Sequence, residues 1–471
     1  MGKALNRLFA ILICTYAVIH FIVYFSKSET FSINLSLIGI CAFLLSFFFL
    51  KIQKASISLF LTTVAVLLHM ISGSSLMEGF LSGFRVMSGL ISLLIIVPMI
   101  SWVLREESYI ESVIHFAQNI LNTSRRFYFG MMFITQLISF FLLFGAIPMV
   151  YQMVNDFLHN QKGEAWENYK STAILRGFAL TTMWVVSIPS FLFAVDHLGA
   201  SLPLSMLQGA LLSLVGILLS TMFSYFQEQK YGVSITEGIK EELERIGNSS
   251  NNQFKDKRYV YEFAILFISL FGTIFLIKGL WNVKLLLLIP ITIIVWIIIY
   301  FLVKKRAYKL GTYGKRFVQE DLPKQAQQYS ILLAAGFLVD SVKKSGAGTY
   351  MVDGMFYVAD AVPFLNFLWI LPLIVVLLGF IGLGPLTVIV LVSGILEGVS
   401  LPYPPEVIVI GITSGSVISI MLSPLILPVI VLSTTNQLGT IKNGFHFNIG
   451  YAISFYFLVQ LYIQVVVHVF F

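Results

Sequence analysis

MWVVSIPSFLF (183–193) is apolar enough to lie inside a membrane, yet Ser187 and Pro189 interrupt it near its middle. ISIMLSPLILP (418–428) repeats the pattern with Ser423 and Pro424. A proline inside a helix removes a backbone donor and clashes with the preceding turn. Hydrocarbon cannot satisfy the carbonyls so freed, so an interrupted span persists only where protein or a water-filled cavity surrounds the break. Two interrupted spans at matching places in the halves of one chain are the best sequence pointer to a secondary transporter's binding site.

The rest of the chain is equally apolar. Of its 471 residues 58% are hydrophobic and only 11% charged, with a mean hydropathy of +0.89. A soluble chain carries about 25% charged residues. The expected fold is therefore an all-α polytopic membrane protein. The first apolar run, 8–25, follows only Lys3 and Arg7 and reads as a retained span, because no small-residue cleavage site is clear after it. The net charge of +7 reports orientation and calls for no nucleic acid. Cys14 and Cys41 fall inside expected spans and read as buried thiols. No GxxxxGK[ST] loop, dinucleotide fingerprint or HExxH helix occurs, so the reading assigns no catalytic residue, metal or cofactor and no ATP-driven pumping.

Apolar runs place eleven spans near 8–26, 31–50, 56–72, 84–104, 172–198, 204–225, 259–279, 282–303, 329–346, 406–432 and 445–467. Two further segments, 128–158 and 364–397, are too long for one straight span. They contain the Gly/Pro breaks FGAIP (144–148) and GFIGLGP (379–385). Reading both as re-entrant hairpins, with the N-terminus inside and the C-terminus outside, puts 24 of the 30 Lys and Arg on the inner side. Only Lys27, Arg85, Lys278, Lys284, Lys343 and Lys344 lie elsewhere. That bias fits the positive-inside rule, and a single crossing by 128–158 would turn the basic loops 226–258 and 304–328 outward. The expected location is the plasma (cytoplasmic) membrane.

The halves align by feature: the span 84–104 with 329–346, FGAIP with GFIGLGP, and the Ser187 break with the Ser423 break. The first pair runs in opposite directions, so the repeat is inverted. The expected organisation is N-terminal scaffold spans (1–83), a first repeat (84–225), a cytoplasmic connector (226–258), scaffold spans (259–303), a basic cytoplasmic loop (304–328) and a second repeat (329–467). ITEGIKEELERIGN (235–248) reads as a short amphipathic helix in solvent, and KKRAYKLGTYGKR (304–316) as an orientation anchor.

A span, a hairpin and a broken span, repeated inverted, resemble the ion transporter superfamily of divalent anion/sodium symporters, citrate carriers and arsenite permeases. The resemblance covers 85–225 and 329–467 and is one of architecture. It implies elevator-type motion and a homodimer. The sodium/dicarboxylate branch carries Ser-Asn-Thr at its hairpin tips, whereas these tips read FGAI and GFIGLG. That departure bears on sodium coupling and on dicarboxylate as the substrate, so protons are preferred to sodium as the coupling ion.

Broken half-helices expose free N–H groups, which attract anions without any charged side chain. Candidate substrate-binding residues are Ser187, Pro189, Ser190, Ser423, Pro424 and Thr387, with Gly145, Gly382 and Gly384 allowing close backbone approach. For each serine, back-bonding within its own helix is the bland alternative. Candidate coupling residues are Asp340, inside an apolar span, and the pair Asp196 and His197. Arg176 reads as an interfacial anchor. The expected function is secondary active transport of a small organic or inorganic anion, or of an amphipathic one. The alternative is a membrane-embedded enzyme or flippase handling a lipid-linked substrate, which needs a cluster of Asp, His or Arg at one interface.

Overall fold

The computed structural model describes residues 2–48, 50, 52–109, 112–113, 122–247, 253–281, 283–361 and 365–470, which are helical throughout and contain no strand. Three helices open the chain: α1 (Gly2–Ser26), α2 (Glu29–Ser46) and α3 (Ile52–Ile71). α4 (Leu76–Val86), α5 (Ser88–Ile96) and α6 (Ile100–Leu104) follow almost end to end. Next come α7 (Ser124–Leu142), α8 (Ala146–Phe157), α9 (Glu164–Thr181), α10 (Pro189–His197) and α11 (Leu202–Tyr231). The middle of the chain forms α12 (Ile235–Gly247), α13 (Gln253–Leu280), α14 (Leu285–Val303), α15 (Tyr308–Arg316) and α16 (Leu322–Lys324). The last part forms α17 (Ala326–Ser345), α18 (Ala347–Asp360), α19 (Phe367–Phe380), α20 (Pro385–Leu396), α21 (Pro405–Leu422), α22 (Leu427–Asn436) and α23 (Phe447–Phe470).

Among the described residues nine helices are long and apolar enough to cross a membrane. Their outer faces expose large apolar side chains, such as Leu207, Leu211 and Leu218 on α11 and Ile299 and Leu302 on α14. Patches of this extent are not stable against water. The chain is a multi-pass membrane protein. The expected spans 56–72, 172–198 and 329–346 fall outside that count. The first is a shorter apolar helix, the second is split into α9 and α10, and α17 is diluted by Gln327 and Gln328 and by Asp340, Lys343 and Lys344.

The segment 124–157 doubles back on itself. A straight helix would hold Phe127 and Phe157 about 45 Å apart. Their rings instead stack at 5.2 Å. The bend falls at Leu143, whose φ of 50° is left-handed. For a residue with a Cβ that conformation costs about 1–3 kcal/mol and must be held by its surroundings. In the second half α19 turns into α20 at Gly382, with φ of 92°. There glycine takes the same backbone hand with no Cβ to clash.

One close helix crossing in the first half has a counterpart in the second. Gly177 of α9 lies so close to α7 that an added Cβ would stand 2.9 Å from the Met132 carbonyl oxygen and 3.1 Å from Thr135. Gly415 of α21 lies so close to α19 that a Cβ would stand 2.5 Å from the Pro372 carbonyl oxygen and 2.8 Å from Val375. Small residues at such crossings let helix backbones touch where no hydrophobic drive separates protein from lipid. Met132, Thr135, Leu143, Gly177 and Ser187 each have their counterpart 236–240 positions later, at Pro372, Val375, Gly382, Gly415 and Ser423. The two broken spans pack on each other through α9 and α21, while α10 packs on α20 and α22 on α8.

Three local expectations change. The connector helix α12 is docked rather than solvated all round: Ile235 and Ile239 are buried, and Glu242 accepts from the Asn160 amide at 3.1 Å. Cys41 is exposed on the outside of α2 rather than buried. Arg176 does not reach an interface but is fully buried. It donates to Asn448 Oδ1 at 2.8 Å, the Phe447 carbonyl at 2.9 Å, Ser220 Oγ at 3.1 Å and Tyr128 Oη at 3.3 Å, and it lies 4.5 Å from the Tyr451 ring centre. The α9 face that carries it packs against α7, α11 and α23, so lipid is out of reach.

Candidate functional site

A cavity of about 500 Å³ lies where the interrupted elements meet. Leu143 and Phe144 enter its wall from one hairpin tip, and Gly382, Gly384 and Pro385 from the other. Thr182, Ile188, Pro189 and Ser190 come from the first break, and Leu425, Ile426 and Leu427 from the second. Gln325, Gln327, Gln328 and Ile331 close it from the start of α17. Its size falls within the roughly 300–1,000 Å³ range of small-molecule sites.

Three half-helices begin in this wall. α10 starts at Pro189, α20 at Pro385, and α22 carries Pro428 at its second position. Proline suits these positions because its φ is preset and its missing N–H would have been unbonded anyway. None of the three has a side-chain cap. Their remaining first-turn N–H groups have no partner inside the helix and carry the positive end of the helix dipole. Two hydroxyls stand beside them. Ser190 is 4% exposed and Thr387 5%, and among the described residues neither hydroxyl has a hydrogen-bond partner.

Apolar side chains of Ile57, Leu94, Phe178, Ile331, Ile420 and Ile430 also line the cavity. The described wall holds one charged side chain, Lys324, and no carboxylate or histidine. Lys324 is 72% exposed, with Nζ 3.7 Å from Asp321 Oδ1.

A larger cavity of about 910 Å³ adjoins this one and shares Pro98, Leu143, Lys324 and Gln325 with it. Arg105, Glu106, Glu107 and Asp321 border it. The Glu106 side chain is fully buried and accepts from Arg306 at 2.9 Å, Lys309 at 2.8 Å and Tyr313 at 2.8 Å. Burial pushes its carboxyl up, but hydrogen bonds from Lys309, Tyr313 and Arg306 and the Lys309 charge outweigh that and hold it below the usual carboxylate range. The basic run 304–316 is thus tied to protein carboxylates, and Arg306 also pairs with Glu107 at 3.0 Å.

Of the residues singled out from sequence, Pro189, Ser190, Gly382, Gly384 and Thr387 line the smaller cavity. Gly145 lines the larger one. Ser187, Ser423 and Pro424 stand outside both walls. The Ser187 hydroxyl donates to the Phe140 carbonyl, and the Ser423 hydroxyl donates to the Gly379 carbonyl at 3.0 Å. Both acceptors belong to the last turn of the first hairpin helix, and the Gly379 carbonyl also accepts from the Gly382 amide at 3.1 Å. Each break serine therefore caps a hairpin instead of back-bonding within its own helix. Asp340 pairs with Lys344 at 2.9 Å and accepts from Ser82 at 2.6 Å. Asp196 accepts from the Leu285 amide at 3.2 Å, and His197 stacks on Phe193 at 3.6 Å. None of these three coupling candidates borders either cavity.

Sequence reading passed over Thr182, Lys324 and the three glutamines. LPKQAQQ (322–328) was the available signal: a Pro followed by uncharged amides at the head of an apolar span. The chain matches no protein-family model and no curated protein.

Proposed function

We propose that this chain is a secondary active transporter that carries a small anion by elevator-type alternating access, driven by an ion gradient. The observation that carries the reading is the cavity itself. It is bounded by both bends and both breaks, and three uncapped helix N-termini open into it beside the unpartnered hydroxyls of Ser190 and Thr387. Anions bind such ends through backbone N–H groups. The paired contacts 236–240 residues apart support an inverted repeat, and the fold-back at Leu143 supports a re-entrant hairpin. In this reading the chain has the ion transporter superfamily architecture.

The mobile body consists of α7–α10 and α19–α22, moving against the remaining helices. The loop 105–108 and the segment 317–325 border the larger cavity. Both belong to the Lys/Arg-rich side, so by the positive-inside rule the access route opens to the cytoplasm. The test uses the full chain in sealed vesicles, with Ser190→Cys or Thr387→Cys on a background in which both native cysteines are replaced by serine. A membrane-impermeant thiol reagent labels each new thiol from one side and, after exchange of the gradient, from the other. A thiol that labels from one side only under every gradient refutes alternating access at this cavity.

A further inference from the structure

We infer that Lys324 is the charge-selecting residue on the route by which an anion reaches the smaller cavity, and that the basic run 304–309 keeps this route free of bare carboxylates. The inference rests on the transporter reading and deepens it.

Four residues belong to the walls of both cavities: Pro98, Leu143, Lys324 and Gln325. They come from three irregular points of the chain. Pro98 stands in the short turn Val97–Met99 between α5 and α6, and Leu143 at the bend of the first hairpin. Lys324 and Gln325 form the junction of α16 and α17. A solute moving from the larger cavity to the smaller one passes this throat. Lys324 is the charged member of the four, and the one charged side chain in the described wall of the smaller cavity.

The approach to the throat holds three carboxylates, and each already has a cation. Glu106, Glu107 and Asp321 border the larger cavity together with Arg105 and Lys324. Arg306 and Lys309 hold Glu106. Arg306 at 3.0 Å and Lys304 at 3.8 Å hold Glu107, and Lys304 also holds Glu262 at 2.5 Å. Asp321 has Lys324. Arg105 borders the same cavity and forms no ion pair among the described residues. Set against Glu106, Glu107, Glu262 and Asp321, the cations Arg105, Lys304, Arg306, Lys309 and Lys324 leave one positive charge in excess.

Two consequences follow for an entering solute. A cleft with an excess of one sign of charge concentrates ions of the other sign. Without the basic run, Glu106 and Glu107 would border the approach as uncompensated carboxylates and repel an anion. Lys324 meets the solute last. Its contact with Asp321 is 3.7 Å long, and the two side chains are 72% and 42% exposed. Water screens such a pair, so it holds the ammonium loosely and leaves it free to face an anion in the throat.

The test reads the charge of the route without needing the natural substrate. The full chain, with both native cysteines replaced by serine and Ser190→Cys added, is placed in sealed inside-out vesicles. The probes are two membrane-impermeant thiol reagents of similar size, anionic 2-sulfonatoethyl methanethiosulfonate and cationic 2-(trimethylammonium)ethyl methanethiosulfonate. Their rate ratio, anion over cation, is normalised to the ratio for 2-mercaptoethanol in solution. A unit charge about 8 Å from the path changes the two rates about twofold each in opposite directions, even at the dielectric of water. The normalised ratio is therefore expected to exceed one, to fall about fivefold in Lys324→Gln and to persist in Lys324→Arg. Arg105→Gln should lower it less, and ~1 M salt should abolish the preference. Lys309→Gln should lower the ratio, and adding Glu106→Gln should restore it. A ratio below one in the parent, no fall in Lys324→Gln, an equal fall in Lys324→Arg, or a larger fall in Arg105→Gln overturns the role of Lys324. An unchanged ratio in Lys309→Gln overturns the role of the basic run. All of these leave alternating access standing, because labelling from both sides reads that. A Ser190→Cys thiol inert to both reagents from this side refutes the route and the inference with it. Labelling from this side alone under every gradient, with the expected charge preference, upholds the throat and refutes the transporter reading.

Discussion

Replacing Ser187 and Ser423 by alanine separates a capping role from a ligand role. Each hydroxyl donates across the break to a carbonyl in the last turn of a hairpin's first helix, Phe140 in one half and Gly379 in the other. Ser187 is 3% exposed and Ser423 0%, so water cannot take over as donor. Removing one partner of a buried hydrogen bond leaves the other unsatisfied, at about 1–3 kcal/mol. The Gly379 carbonyl keeps the Gly382 amide at 3.1 Å when Ser423 is replaced, so the double variant is expected to lose about 1.5–4.5 kcal/mol, the larger share from Ser187. Denaturant titration of the detergent-solubilised chain, followed by circular dichroism, measures this directly. A companion measurement uses thiols. Ser187→Cys and Ser423→Cys are expected to resist water-soluble alkylating reagents, while Ser190→Cys at the cavity wall reacts. Alanine variants within about 0.5 kcal/mol of the parent, the range of an ordinary surface substitution, would refute the capping account. So would Ser187→Cys reacting as fast as Ser190→Cys.

Gly415→Ala forces a methyl to 2.5 Å from the Pro372 carbonyl oxygen and is expected to destabilise the second repeat by about 1–3 kcal/mol. A thermal unfolding midpoint equal to that of the parent would count against the close α19–α21 crossing. Gly382→Ala places a Cβ on a backbone at φ 92° and is expected to cost about 1–2 kcal/mol through strain alone, since the nearest neighbour, Leu425, is at an ordinary 3.6 Å. Gly382→Asn, which tolerates left-handed backbone better, should recover part of that loss. For Glu106 the folded carboxyl titrates below its unfolded value, so its contribution is full above the ordinary range near pH ~4.3 and disappears as pH falls through the lowered folded value. The penalty of Glu106→Gln should therefore be steady at neutral pH and shrink in acid, and a penalty unchanged down to pH ~3 would contradict the network.

The local composition of the chain was sufficient for the class of fold. Apolar runs of span length, with only 11% charge, leave no soluble alternative. The breaks were equally legible, because proline and paired glycines act on the backbone wherever they stand. The bend at Gly382 and the half-helix starts at Pro189 and Pro385 follow from such residues, whereas the bend at 143 falls on a leucine that its surroundings hold. Wall positions Pro189, Ser190, Gly382, Gly384 and Thr387 came from the same signal.

The direction in which a side chain points did not follow from spacing. Ser187 and Ser190 are three residues apart, yet the first caps Phe140 and the second borders the cavity. Only the packing of α7 against α9 decides between them. Arg176 reads as an anchor until four acceptors from three other helices surround it. Lys324 and the glutamines of 325–328 join the wall because α17 begins at the cavity, a contact made between residues far apart in the chain. Proline and glycine breaks are intrinsic to the residues that make them, so the sequence alone determined the membrane class and the breaks at Pro189, Gly382 and Pro385. Which polar groups find partners depends on long-range neighbours, so only the tertiary structure separated the serines that hold the hairpins from the hydroxyls left open to a ligand.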